Sequence, residues 1–247
     1  MKKKTFKGDQ MKYFFALLIT NVIGFSAQAA DLASDSTPTT VPATFKNLYV
    51  PRGFDSNDNI QVAGEGVFSN SCFKIAPPVV SIDESGKKIT LAAQAYQYSG
   101  MCMQMLIPFQ QVVDLGIIKT PGVYKILTAA GVQIGEVDVA AARTSEPDDF
   151  FYAPVQRVSF EDGADNTVSL RVEFPTNCLT IGEVRVDKQQ NVVVIQPIAK
   201  LVRRFGCAMG YFPVTEVIKL GKVNHGRYLL HVRSSGSQAN NQIIAIQ

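Results

Sequence analysis

Apolar and polar residues alternate in short runs along most of the chain, with a period of two. That is the spacing of a strand with one face against a core. In the first half the pattern predicts strands over residues 45–50, 59–68, 79–82, 89–98, 105–113, 122–128 and 132–139. Ser85-Gly86 and Ala129-Ala130-Gly131 are the turn signals between neighbouring runs. In the second half it predicts strands over residues 167–174, 183–186, 191–199, 211–218, 227–233 and 242–246. Pro197 interrupts its run, which implies an edge strand or a bulge there. No run carries the 3.6-residue period of an amphipathic helix.

The two halves are related. CMQMLIPFQQVVDLGIIKTPGVY, residues 102–124, recurs as CAMGYFPVTEVIKLGKVNHGRY, residues 207–228. Cys102 falls on Cys207, Pro108 on Pro213, Val112 on Val217, Leu115 on Leu220 and Gly116 on Gly221. After a one-residue gap Gly122 falls on Gly226 and Tyr124 on Tyr228. An internal duplication in a chain of 247 residues implies two domains. Residues 44–142 form the first and 150–247 the second. The polar run RTSEPDD, residues 143–149, is the linker between them.

The N-terminus reads differently. Lys2, Lys3, Lys4, Lys7 and Lys12 precede an apolar run and the small-residue pattern Ala27-Gln28-Ala29, as in a signal peptide over residues 1–30. Residues 31–43, rich in Ser, Thr and Pro, read as a flexible leader. The chain holds 24 basic and 21 acidic residues, of which residues 1–30 hold five Lys and one Asp, leaving 19 basic and 20 acidic beyond the signal. So no global basic field points to nucleic acid or to an anionic membrane. No later run is long and apolar enough to span a bilayer. In an exported chain, four cysteines read as two disulfides, with three pairings open. The duplication favours Cys72–Cys102 and Cys178–Cys207, one bridge per repeat.

Each repeat holds about 100 residues and about seven short strands, the signature of a β-sandwich. The shared Val-x-x-Leu-Gly turn followed by Gly-x-Tyr resembles the tyrosine corner of immunoglobulin-like domains. There a tyrosine hydroxyl bonds back to the backbone. Tyr124 and Tyr228 occupy that position. The resemblance implies an all-β chain of two tandem antiparallel immunoglobulin-like sandwiches, with Ile126 and Leu230 standing where an immunoglobulin cysteine would be.

Catalytic chemistry is not legible. His225 sits in a turn and His231 in a strand, and neither has a histidine counterpart in the first repeat. Metalloprotease, nucleophile-elbow and phosphate-loop motifs are all missing. Glu161, Asp162 and Asp165 form an acidic turn, echoed by Asp55 and Asp58, which reads as solvated rather than as a calcium loop. No cofactor or metal is expected. The bridged loops are the candidates for partner contact: Tyr96, Tyr98, Met101 and Met103 in the first repeat, with Arg203, Arg204, Phe205 and Tyr211 in the second. Tyr, Met and Arg are enriched in recognition surfaces. The expected function is an exported, non-enzymatic binding or structural protein, its partner an unidentified protein or a component of the cell envelope. A periplasmic pilus chaperone of the two-domain immunoglobulin-like type is the alternative, and an extracellular hydrolase is a third reading. Against the chaperone, the connection over residues 128–131 is short where such proteins carry a long hairpin.

Overall fold

The computed structural model describes residues 37–247. The signal-peptide reading of residues 1–30 falls outside them. The first repeat holds β1 (Thr39–Pro42), β2 (Asn47–Tyr49), β3 (Phe54–Asp55), β4 (Ile60–Phe68), β5 (Phe73–Asp83), β6 (Lys88–Gln97), β7 (Ile107–Gly116), β8 (Gly122–Leu127) and β9 (Gln133–Ala140). The second holds β10 (Val155–Glu161), β11 (Thr167–Thr176), β12 (Leu179–Gln189), β13 (Val192–Leu201), β14 (Met209–Lys219), β15 (Gly226–Ser234) and β16 (Gln238–Ile246). The all-β, tandem-sandwich reading holds, with no helix among the described residues.

Each repeat folds into two facing sheets. In the first, β2-β4-β7 packs on the sheet that runs β1-β6-β8-β9-β3, with β5 paired to β6. In the second, β10-β11-β14 packs on β12-β13-β15-β16. Period-two alternation fills the cores. Ile89, Leu91, Ala93 and Ala95 of β6 point inward while their neighbours do not. Ile60, Val62, Leu91, Tyr124 and Ile126 meet in one core, and Leu170, Phe174, Ile195 and Leu230 in the other. Fully burying each such side chain stabilises by about 1.5–3 kcal/mol.

The sheets are mixed, not purely antiparallel. β8 runs parallel to β6 over Lys88–Thr90 and Lys125–Leu127, and β15 runs parallel to β13 over Val192–Ile195 and Leu229–Val232. The cause is connectivity. Between β6 and β8 the chain makes a single strand, β7, in the facing sheet, so β8 re-enters in the direction of β6. Alternation fixes which face a strand buries, not which neighbour it takes.

Other elements depart from the pattern. Thr39–Pro42, at the end of the stretch read as a leader, is strand β1, paired with Gln94–Gln97 of β6. The second repeat has only a single bridge at that place, Tyr152 to Ile198. β3 and β10 are further strands not foreseen from the sequence. β13 continues through Pro197 to Leu201, and the bulge stands on its partner β12, between Ile181 and Glu183.

Residues 37–247 belong to one compact unit. The sheet β2-β4-β7 lies against the second sandwich's sheet β12-β13-β15-β16. Tyr49 and Ala63 from the first repeat cluster with Val192, Val194 and Leu229 from the second. β4 is therefore covered on both faces. The linker is tied down too. Asn57 Nδ2 donates to the carbonyls of Thr144 and Glu146 at 3.1 and 2.6 Å, and Asp148 accepts from Ser237 N at 3.2 Å.

Candidate functional site

The seam between the sandwiches is ordered residue by residue. Along β4 the side chains of Glu65, Ala63 and Gln61 alternate onto the seam. Along β15 those of Arg227, Leu229, His231 and Arg233 do so. Arg227 reaches Glu65, Ala63 clusters with Leu229, and Gln61 meets His231 through Asn241. Asp58, just before β4, takes Arg233. As β4 is followed backwards β15 is followed forwards, so the two strands cross antiparallel.

Glu65 is the hub of one end. Arg227 Nε donates to its two oxygens at 3.0 and 2.8 Å, Tyr49 Oη at 2.8 Å and Asn47 Nδ2 at 2.9 Å. A second Arg227 nitrogen also reaches Oε2. Burial pushes the Glu65 carboxyl up, but the hydrogen bonds from Arg227, Asn47 and Tyr49 outweigh it and hold it below its usual value. Tyr49 is pushed up to about 12, by burial first and then by the carboxylate it serves.

The other end is a buried charge cluster. Arg233 Nη1 donates to Asp58 Oδ2 at 3.1 Å, with both side chains 8% exposed, and Nη2 caps the carbonyl of Gly53. The guanidinium lies over the rings of Phe54 and Tyr152. Beside it, His231 is 1% exposed, edge-on to Phe54, with Nδ1 2.7 Å from Asn241 Oδ1. Asn241 Oδ1 only accepts, so Nδ1 carries the proton and Nε2 has no partner among the described residues. Burial drives the His231 pKa down to about 4. The cavity here, lined by Phe54, Asp58, Asp148, His231 and Arg233, measures ≈ 10 Å³. That space suits one water molecule and no organic ligand. The cluster ties the two sandwiches to each other.

The sequence-predicted contact residues lie elsewhere. Cys72–Cys102 and Cys178–Cys207 are both formed. In the first repeat Ser71 N donates to Met103 O at 3.1 Å and Met103 N to Ser71 Oγ at 2.9 Å, pinning the loop beside its bridge. Tyr96 and Tyr98 share one face of the strand end, and Lys74 lies over the Tyr98 ring. Met101 is 104% exposed and Met103 65%. In the second repeat Asn177 clasps the backbone of Ala208 from both sides. Phe205 is 89% exposed, Tyr211 88%, and Arg203 and Arg204 are exposed with them. Met101, Met103, Phe205 and Tyr211 project into solvent, while Tyr96 is half-buried. The antiparallel seam sends the two tips to opposite ends of the unit, so each is a separate surface.

The corner tyrosines differ. Tyr124 Oη donates to Thr120 O at 2.7 Å, four residues back, and accepts from Lys87 Nζ at 3.1 Å. Tyr228 is buried, but no hydrogen bond to its hydroxyl is formed among the described residues. His225 is exposed in its turn. In the acidic turn Asp165 pairs with Lys219 at 2.7 Å and Asp162 accepts from Gln247 N at 3.0 Å. No group of three or more His, Cys, Asp and Glu converges among the described residues.

Glu65, Arg227, Asp58 and Arg233 were not legible as a site, yet the duplication held a signal. Aligning Tyr124 on Tyr228 sets Lys125 against Leu229, and the matching parallel pairs set Lys88 against Val192 and Thr90 against Val194. Where the first repeat is polar and solvent-facing, the second is apolar and buried at the seam.

Residues 62–138 match the family model of the ORF11 beta-sandwich domain. No curated protein and no solved structure matches the chain. The matched stretch runs from β4 to β9 and takes in Cys72, Cys102 and Tyr124, so what it identifies is the first sandwich, bridge and corner included.

Proposed function

We propose that the chain is an exported, non-enzymatic binding protein that presents two disulfide-braced tips on a rigid pair of sandwiches. The observation that carries this reading is the projection of Met101, Met103, Phe205 and Tyr211 into solvent from loops pinned at their bases. Exposing large apolar side chains on an ordered loop has a free-energy cost, and contact with a partner recovers it. A bridge at the loop base lowers the ordering entropy that binding otherwise requires. Two disulfides and the signal-like N-terminus support export. The seam's charged side chains are engaged with one another, which favours a binding role over catalysis.

The test is photocrosslinking from positions 101 and 205 in the native compartment. Specific adducts are expected from at least one position. They should weaken when Tyr96 and Tyr98 are cut to Ala, or when Arg203 and Arg204 are reversed to Glu. If every capture is unchanged by both sets of substitutions, the tips are not contact surfaces.

A further inference from the structure

The two tips differ in chemistry. The first, YSGMCMQML over residues 98–106, carries no charge. The second is built from residues 174–182 and 199–213, which hold Lys200, Arg203 and Arg204 and no Asp or Glu. Neither arginine has an ion-pair partner among the described residues. Interleaved with these cations, Leu201, Val202, Phe205, Met209 and Tyr211 are all more than half exposed.

We infer that the bridged tip of the second sandwich docks on an anionic lipid surface. Phe205, Met209 and Tyr211 enter the headgroup and acyl boundary, and Lys200, Arg203 and Arg204 lie against the phosphates. This rests on the reading of the tips as contact surfaces. Cations of a single sign with aromatic and aliphatic side chains between them are what an interfacial segment requires. Anionic headgroups supply the negative charge that the tip itself lacks. The near-complete exposure of Phe205 and Tyr211 favours lipid over protein. A bilayer takes up projecting side chains without shape complementarity, whereas a protein hot spot is built in a packed pocket. The even charge balance of residues 31–247 conceals this patch, because its cations are local to one end.

The chain has no tryptophan, so Phe205→Trp puts a single tryptophan at the tip, which can be excited selectively over the tyrosines. With vesicles of phosphatidylglycerol and phosphatidylethanolamine its emission shifts to the blue, and with phosphatidylcholine vesicles it does not. High salt reverses the shift. Adding Arg203→Gln and Arg204→Gln weakens partitioning about thirty-fold, at about 1 kcal/mol per basic side chain near the surface. Met101→Trp, at the opposite end, stays unshifted on the same vesicles. No shift at position 205 on anionic vesicles, or an equal shift on phosphatidylcholine, overturns the lipid assignment. If a photocrosslinker at 205 then captures a protein, the contact reading stands and only the lipid is wrong. If it captures neither lipid nor protein, and position 101 captures nothing either, both fall.

Discussion

Arg227 Nε lies 2.8 Å from Glu65 Oε2 although 162 residues separate the two, and this contact fixes how one sandwich is seated on the other. Glu65 is 10% exposed and Arg227 47%, so the pair is dry on one side and wet on the other. Replacing Glu65 with Ala strands the Tyr49 hydroxyl and the Asn47 amide together with the guanidinium. We expect a loss of about 2 kcal/mol in chemical unfolding, below the figure for fully buried pairs because water screens Arg227. The Glu65 carboxyl is held below its ordinary 4.5, so its contribution is complete above that pH and fades as the pH falls through the lowered value.

His231 gives the fold a second acid sensitivity of the same sign, at higher pH. Its pKa drops from 6.5 to about 4 because burial disfavours the imidazolium, and Arg233 adds to the effect. The unfolded chain therefore takes up a proton below pH 6.5 while the folded chain refuses it until about pH 4. Stability falls across that window, by about 3 kcal/mol when complete. Asp58 and Asp148 act against this. Burial raises both carboxyls despite Arg233, so the fold gains protons there earlier than the unfolded chain does. Unfolding free energies measured from pH 7 to pH 4 should fall more steeply in the parent chain than in His231→Gln. Parallel curves would mean that the imidazole is charged in the fold.

The corner tyrosines separate shared framework from shared chemistry. Tyr124→Phe removes the bond to Thr120 O and one of the Lys87 contacts, and should lower stability by about 1–2 kcal/mol. Tyr228→Phe removes a hydroxyl that has no partner among the described residues, and should change stability by less than about 0.5 kcal/mol. Urea unfolding of the two variants is the measurement. Equal losses would show that the second hydroxyl is engaged in solution.

Much of this architecture was readable from the chain because it depends on local periodicity and on the duplication. Ile89, Leu91 and Ala93 declare their buried face at period two, and the Cys–Cys separations declare the bridges. What stayed hidden depends on which surfaces meet. The run IQVAGEGVF of β4 looks like a weak strand with a stray carboxylate, because nothing local says that both of its faces are covered. Gly66 is small because a Cβ there would stand 2.4 Å from the Phe109 ring, and Glu65 is charged because Arg227 waits across the seam. Only the comparison of repeats, Lys125 against Leu229, carries that information in one dimension. The tips were legible as loops, and their exposure was not, since residue type alone does not say whether a Met or Phe folds back over a disulfide.

That comparison leads to the strongest test of the seam. Leu229→Lys restores at one position what the first repeat carries there. In the first repeat the ammonium of Lys125 faces solvent; at position 229 it would face Ala63, Val192 and Val194. No carboxylate occupies that cluster, since Glu65 is taken by Arg227 and Asp58 by Arg233. An unpaired buried charge costs several kcal/mol, which the seam cannot recover by shifting one side chain. Leu229 points away from the core of its own sandwich, where Tyr228 and Leu230 lie. The expected result is therefore separation rather than collapse. Calorimetry should resolve two transitions in place of one, and small-angle scattering should give a larger radius. Both disulfides should remain intact by non-reducing peptide mapping. A single transition with an unchanged radius would show that the sandwiches are not held by this face.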